Sequence, residues 1–139
     1  RPHLGPDIEY VGEVNLKEKN ELLGGARALL FPIAWEEPFG LVMIEAMACG
    51  APVLAFGRGS VPEVVANGAS GWICAHAEAM ALRAAGELPA PAACRAEVAR
   101  RFSVSGMVGQ YTDLYQRCLE AVPQRRRAPQ ALVRQSLAS

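Results

Sequence analysis

Three short apolar runs, Ala28-Leu29-Leu30-Phe31, Pro52-Val53-Leu54-Ala55-Phe56 and Gly71-Trp72-Ile73-Cys74, alternate along the chain with segments of helical spacing. This alternation leaves few architectures open. Runs of four or five apolar residues bounded by Gly or Pro suit strands buried on both faces, and parallel strands need helical crossovers. The order strand, helix, strand, helix, strand with short connections therefore predicts an α/β fold. The sheet is expected to be Rossmann-like and parallel, in three layers with helices on both faces.

Local signals place the other elements. Ile8 to Val11, ended by Gly12, reads as one more short strand. Asn15 and Glu18 have the spacing of a capping box, so a helix from about Leu16 to Leu23 is expected, closed by Gly24-Gly25. Ser60 and Glu63 repeat that spacing with Pro62 in the first turn, and the helix they start can run only to Ala66 before Asn67-Gly68. From Ala75 to Arg101 the alanine-rich chain predicts two helices broken around Leu88-Pro89-Ala90-Pro91. Ser103 can cap a longer helix whose apolar face is Met107, Val108, Tyr111, Leu114, Tyr115, Cys118, Leu119 and Val122, and which reads first as core packing.

A chain of 139 residues is long enough for one domain, expected over residues 1–122, followed by an arginine-rich tail over 123–139 that reads as mobile. Fourteen Lys and Arg balance fourteen Asp and Glu, which offers no general case for nucleic acid or an anionic membrane. No apolar run approaches membrane-spanning length, and a cytoplasmic location is expected. Cys49, Cys74, Cys94 and Cys118 lack the close pairs of zinc or redox motifs and read as small buried hydrophobes of a reducing compartment. His3 and His76 stand alone and suit surface positions. Neither a metal nor a cofactor is expected.

The stretch Glu37-Pro38-Phe39-Gly40-Leu41-Val42-Met43-Ile44-Glu45-Ala46-Met47-Ala48-Cys49-Gly50 carries the chemistry. Pro38 and Gly40 ahead of an apolar run predict a loop feeding a helix N-terminus, where unpaired N–H groups and the helix dipole favour an anion. Gly50 and Pro52 stop that helix. Leu41 and Glu45 are four apart, so Glu45 sits one turn above the helix start, while Glu37 approaches from the loop. Backbone donors in the middle suit a diphosphate, and a carboxylate at each edge suits vicinal hydroxyls. A molecule with hydroxyls at both ends and a diphosphate between them is a nucleotide sugar. Glu36 reads as a partner of the helix dipole, and Arg58, between two glycines, as a solvated loop cation. Trp35 suits either a wall of the donor pocket or a plug at the sheet edge.

The run from Trp35-Glu36-Glu37-Pro38-Phe39-Gly40 through Gly50-Ala51-Pro52-Val53 resembles the paired-glutamate signature of GT-B glycosyltransferases of family 4, or group 1. Tyr10-Val11-Gly12-Glu13-Val14, Leu29-Leu30-Phe31-Pro32, Ser60-Val61-Pro62-Glu63-Val64-Val65, Asn67-Gly68-Ala69-Ser70-Gly71-Trp72 and Arg101-Phe102-Ser103 resemble runs of that family too. The resemblance implies the C-terminal, nucleotide-sugar-binding domain, with Glu37 on the donor sugar beside its anomeric carbon, the Pro38-Phe39-Gly40-Leu41 backbone on sugar and diphosphate, and Glu45 on the ribose. It also implies transfer with retention of configuration, generally without a metal. In the family an acceptor domain and a Gly-Arg strand end with a Lys lie upstream, and Lys17, Lys19, Arg27 and Arg58 do not match those cations. The isolated chain is therefore expected to bind a donor weakly at best and to transfer nothing. An epimerase-like enzyme, or a non-catalytic remnant or binding module, is the alternative. A second copy pairing through an exposed sheet edge or the C-terminal helix is a further candidate partner, beside the donor, an unknown acceptor and the acceptor domain.

Overall fold

The computed structural model describes residues 4–121. His3, Val122 and the tail expected over 123–139 lie outside the described residues. In chain order the elements are α1 (Leu16–Gly25), β1 (Leu29–Phe31), α2 (Leu41–Cys49), β2 (Val53–Phe56), α3 (Val61–Val64), β3 (Gly71–Cys74), α4 (Ala77–Ala85), α5 (Pro91–Arg101) and α6 (Val104–Ala121). Within the span read as one domain, the described residues divide between Ser103 and Val104 into two compact units. The first holds the sheet and α1 to α5. The second is α6, which carries Met107, Val108, Tyr111, Leu114, Tyr115 and Leu119 at three-and-four spacing along one face.

The strands form a parallel sheet in the order β1-β2-β3, with Leu29 opposite Val53, Val53 opposite Gly71, and Leu54 opposite Trp72. Because side chains alternate along a strand, Val53 and Ala55 point to one face and Leu54 to the other. On the first face they pack with Met43, Ala46 and Met47 of α2 and Cys94 of α5. On the second, Leu54 and Cys74 pack against Met80 of α4. Helices thus cover both faces, the expected Rossmann-like layering. The core is centred on β2, whose Val53, Leu54 and Ala55 are fully buried. Among the described residues no helix is long and apolar enough to cross a membrane.

Several local expectations are met. Asn15 accepts the Glu18 amide while the Glu18 side chain accepts the Asn15 amide, completing the capping box. The break around residues 88–91 does separate two helices. Other expectations are corrected. Ile8–Val11 forms no strand; Ile8 makes only an isolated antiparallel bridge to Gly5, and Tyr10 and Val11 are exposed. A strand needs a neighbour to satisfy its amides, and none pairs with this segment among the described residues.

β1 is not buried on both faces. Leu30 is 53 % exposed, because α4 lies over β2 and β3 rather than over this edge. Ser60 makes no side-chain cap: its backbone is already helical (φ −74°, ψ −10°), whereas a capping residue is extended. Cys74 and Cys94 are buried, and burial raises both thiols above their ordinary pKa. Cys118, expected to be buried, is exposed, and Cys49 is intermediate.

Candidate functional site

Helix α2 begins at Gly40 in the left-handed conformation (φ 71°, ψ 61°). The left-handed backbone strains any residue with a side chain, and a Cβ there would press on the end of the Met43 side chain and lie 3.3 Å from Glu37 Cγ. Met43 N–H bonds back to the Gly40 carbonyl at 3.0 Å, whereas the amides of Leu41 and Val42 have no acceptor among the described residues. Two open donors therefore stand at the positive end of the helix, with Leu41 65 % exposed.

Glu37 is folded towards this opening. Its Oε1 accepts the Gly40 amide at 3.2 Å, and its Oε2 accepts the Trp35 indole N–H at 3.1 Å. Trp35 is exposed and neither plugs the sheet nor hides in it; its contact is to the glutamate that the sequence singled out. The Glu37 backbone is held as well, its carbonyl accepting the Ser60 amide at 2.9 Å. Gly59 has φ 52° and lies so close to the Glu37 backbone that no Cβ fits. Glu36 is not a dipole partner of α2: it accepts the Gly59 amide at 2.6 Å and lies 3.6 Å from Arg58. It fastens the loop before α2 to the loop after β2, which fixes where Glu37 sits.

Glu45 lies in α2 on the side that meets α1. Its Oε1 accepts from Lys19 Nζ at 2.6 Å, with side chains 38 % and 32 % exposed respectively. Phe39 meets Phe102 edge to face, with ring centroids 6.4 Å apart. The Arg101 guanidinium covers the Phe102 ring, bonds to the carbonyls of Val64 and Glu63, and reaches Glu97 at 3.0 Å. Hydrogen bonds from Arg100 above all, and from Arg101, hold Glu97 below the ordinary carboxylate pKa against the opposing effect of burial.

The structure thus gathers Glu37, Pro38, Phe39, Gly40 and Leu41 at the start of α2 and sets Glu45 one turn further on. Sequence reasoning missed Lys19, Trp35 as a donor to Glu37, and the Glu97-Arg101-Phe102 support of Phe39. Lys19 and Glu45 are 26 residues apart, so no local spacing announces the pair. Arg27, another cation set aside from the sequence, bonds to the carbonyls of Ala84 and Gly86 at the end of α4.

A cavity of about 670 Å³ opens at the C-terminal ends of the strands, lined by Glu36, Phe56, Arg58, Ile73 and His76 among others. It adjoins the Glu36 side of the loop and does not include Glu37 or Glu45. His76 caps α4 through Nδ1, which accepts the Ala79 amide at 3.3 Å and lies 2.9 Å from Glu78. A backbone hydrogen bond, followed by His76, lowers the Glu78 pKa.

Against this geometry, comparison with known proteins gives a consistent result. The family described as Glycosyl transferases group 1 matches residues 3–87. The N-acetyl-alpha-D-glucosaminyl L-malate synthase of Bacillus anthracis is 36 % identical over 74 residues, 52 % of this chain and 18 % of that protein. The glycogen synthase of Mycobacterium tuberculosis is 38 % identical over 96 residues, 66 % of this chain and 23 % of that protein. Among solved structures, AviGT4, a glycosyltransferase involved in Avilamycin A biosynthesis, aligns with a TM-score of 0.66 and 27 % identity over 81 % of this chain and 36 % of AviGT4. The chain therefore spans less than a quarter of the length of these two curated relatives.

Proposed function

The chain belongs to the group 1 glycosyl transferases, and on that premise we propose that it supplies the donor-binding half of an enzyme that moves a sugar from a nucleotide diphosphate to an acceptor. The observation that carries this reading is the start of α2, where two open amides lie beside Glu37 and one turn below Glu45. The diphosphate takes the Leu41 and Val42 amides, at the positive end of the helix dipole. Glu37, already holding two N–H donors, uses its remaining lone pairs for sugar hydroxyls beside the anomeric carbon. Glu45 takes the ribose hydroxyls. Retention of configuration and independence of a metal belong to the same reading and rest on the family resemblance.

A leaving diphosphate also needs preorganised positive charge. Lys17, Lys19, Arg27 and Arg58 each already hold a partner: Glu21, Glu45, the α4 C-terminus and Glu36. This favours the second reading for the 139-residue chain by itself: a donor-binding module that needs the family's upstream Gly-Arg strand end and Lys, as well as an acceptor-binding domain, to transfer. The relatives' names span different products, so the sugar, base and acceptor are not selected by likeness.

A panel of nucleotide sugars offered to the protein as its gene encodes it tests the reading, with nucleotide release measured with and without candidate acceptors. Release that requires an acceptor supports transfer; turnover of the sugar without one points to epimerisation and overturns it. Transfer by the purified 139-residue chain alone would sink the binding-module reading. Pairing of two copies through the β1 edge, beside exposed Leu30, or through α6 is a separate proposal. Sedimentation as a monomer across concentration refutes it.

A further inference from the structure

We propose that Lys19 is a positioning residue for the donor: it fixes the Glu45 carboxylate so that Oε2 is presented to the ribose hydroxyls. This rests on the donor-site reading and extends it to an element, α1, that the signature does not include. Lys19 Nζ lies 2.6 Å from Glu45 Oε1, and Oε2 takes no hydrogen bond from the described residues. A glutamate on a helix has several accessible rotamers, and a vicinal diol needs its acceptor held in one of them. The lysine removes that freedom before the ligand arrives. Its ammonium has three donors and Glu45 takes one, so the remaining N–H groups can meet a hydroxyl oxygen whose proton points to Oε2. The pair offers a diol both a donor and an acceptor, whereas an isolated carboxylate offers acceptors alone.

The position of Lys19 is itself prepared. The Asn15 and Glu18 capping box sets the start of α1 four residues before it. Lys17 is directed elsewhere: it lies 3.8 Å from Glu21 and is 85 % exposed. Lys19 is 32 % exposed and reaches across to a different helix. An exposed pair on one helix is worth little, but a part-buried pair between two helices constrains both side chains.

The test is an amide-shift NMR titration of the full 139-residue chain with UDP, GDP and ADP at millimolar concentration, and with the counterparts lacking both ribose hydroxyls. Wild type is expected to favour a ribose form by about tenfold, since a hydrogen bond to a charged acceptor carries a factor of that order. Lys19→Met, which keeps the stem and removes the charge, is expected to cut this preference to about threefold or less. Lys19→Arg restores most of it. Glu45→Gln abolishes most of it in either background, and circular dichroism confirms that each variant folds. A Lys19→Met chain with the full wild-type preference overturns the inference and leaves the donor site standing. Wild type with shifts away from α2, with no ribose preference, or with no shifts at all overturns both. A merely structural lysine would lower affinity for the ribose forms and for those lacking both hydroxyls alike, and that outcome also overturns the inference.

Discussion

The two ends of α2 are bounded by the same device and serve opposite purposes. Gly40 opens the helix and Gly50 closes it, both left-handed, at φ 71° and φ 94°. At the closing end the amides turn back onto the helix: the Gly50 amide reaches Ala46 and Met47, the Ala51 amide bonds to the Ala46 carbonyl at 2.9 Å, and Ala51 is buried. That is a Schellman closure, which satisfies the orphan carbonyls. A Cβ on Gly50 would lie 3.0 Å from Pro91 Cβ and against the Arg95 guanidinium, so α5 seals this end. At the opening end two amides have no acceptor among the described residues, and the neighbouring side chains, Phe39 and Leu41, are 45 % and 65 % exposed. One helix thus has a packed end that holds the fold and an open end left for a ligand.

The largest expected effect comes from the sealed end. Gly50→Ala forces a side chain into a left-handed position and into α5, and should cost about 2–3 kcal/mol of stability. Urea denaturation measures it, and nucleotide contact at α2 should persist in the folded fraction. Gly40→Ala meets the same backbone conflict but presses on the end of a flexible methionine. About 1–2 kcal/mol of stability is expected there, with roughly tenfold weaker nucleotide binding as Glu37 and the Leu41 amide move. If Gly50→Ala weakened binding as much as Gly40→Ala at equal stability, the contrast between the two ends would be wrong.

The ends are not independent, because α5 runs past both. Its first residues meet Gly50, and at its far end Arg101 and Phe102 support Phe39. Glu97 anchors Arg101. Its pKa is lowered, chiefly by Arg100, so the stability it contributes is fully present above the unfolded value and is lost as pH falls through the folded one. Glu97→Gln should therefore cost about 1 kcal/mol at neutral pH. The gap between variant and wild type should close in acid, as followed by thermal unfolding from neutral pH to below the ordinary glutamate range. A gap that stayed constant with pH would mean that Glu97 acts by packing rather than charge.

What was legible in the sequence follows the reach of each interaction. The parallel strands, the Asn15 and Glu18 capping box and the two α2 glycines are written within a few neighbouring residues, and the structure bears them out. Ser60 and Glu63 have the same spacing as Asn15 and Glu18 yet make no cap, since Ser60 donates its amide to the Glu37 carbonyl and is already helical. That contact comes from a loop 23 residues upstream, and no spacing rule includes it. Glu36 and Glu37 are adjacent and take different work, one fastening two loops and one facing the helix start. The edge exposure of Leu30 and the Lys19 partner of Glu45 likewise depend on which elements lie alongside. The signature named which residues form the open end; it could not name what holds them in place.

The smallest expected effect probes that hold. Trp35 is 61 % exposed, and its recorded bond is the indole N–H to Glu37 Oε2. Trp35→Phe keeps an aromatic ring and removes the donor. Glu37 keeps the Gly40 amide on Oε1, so the carboxylate loses one of two restraints and stability should change by only about 0.5 kcal/mol. Binding should weaken about twofold to threefold for a nucleotide sugar, because Glu37 must then be ordered by the ligand. A nucleoside diphosphate lacking the donor sugar should bind the variant and wild type alike, since it does not reach Glu37. Trp72 is the second tryptophan of the chain and gives the variant a fluorescence signal for the stability measurement. A difference that appears only with the sugar attached places Glu37 at the sugar, whereas an equal loss for both ligands would place it at the phosphates and redraw the open end of α2.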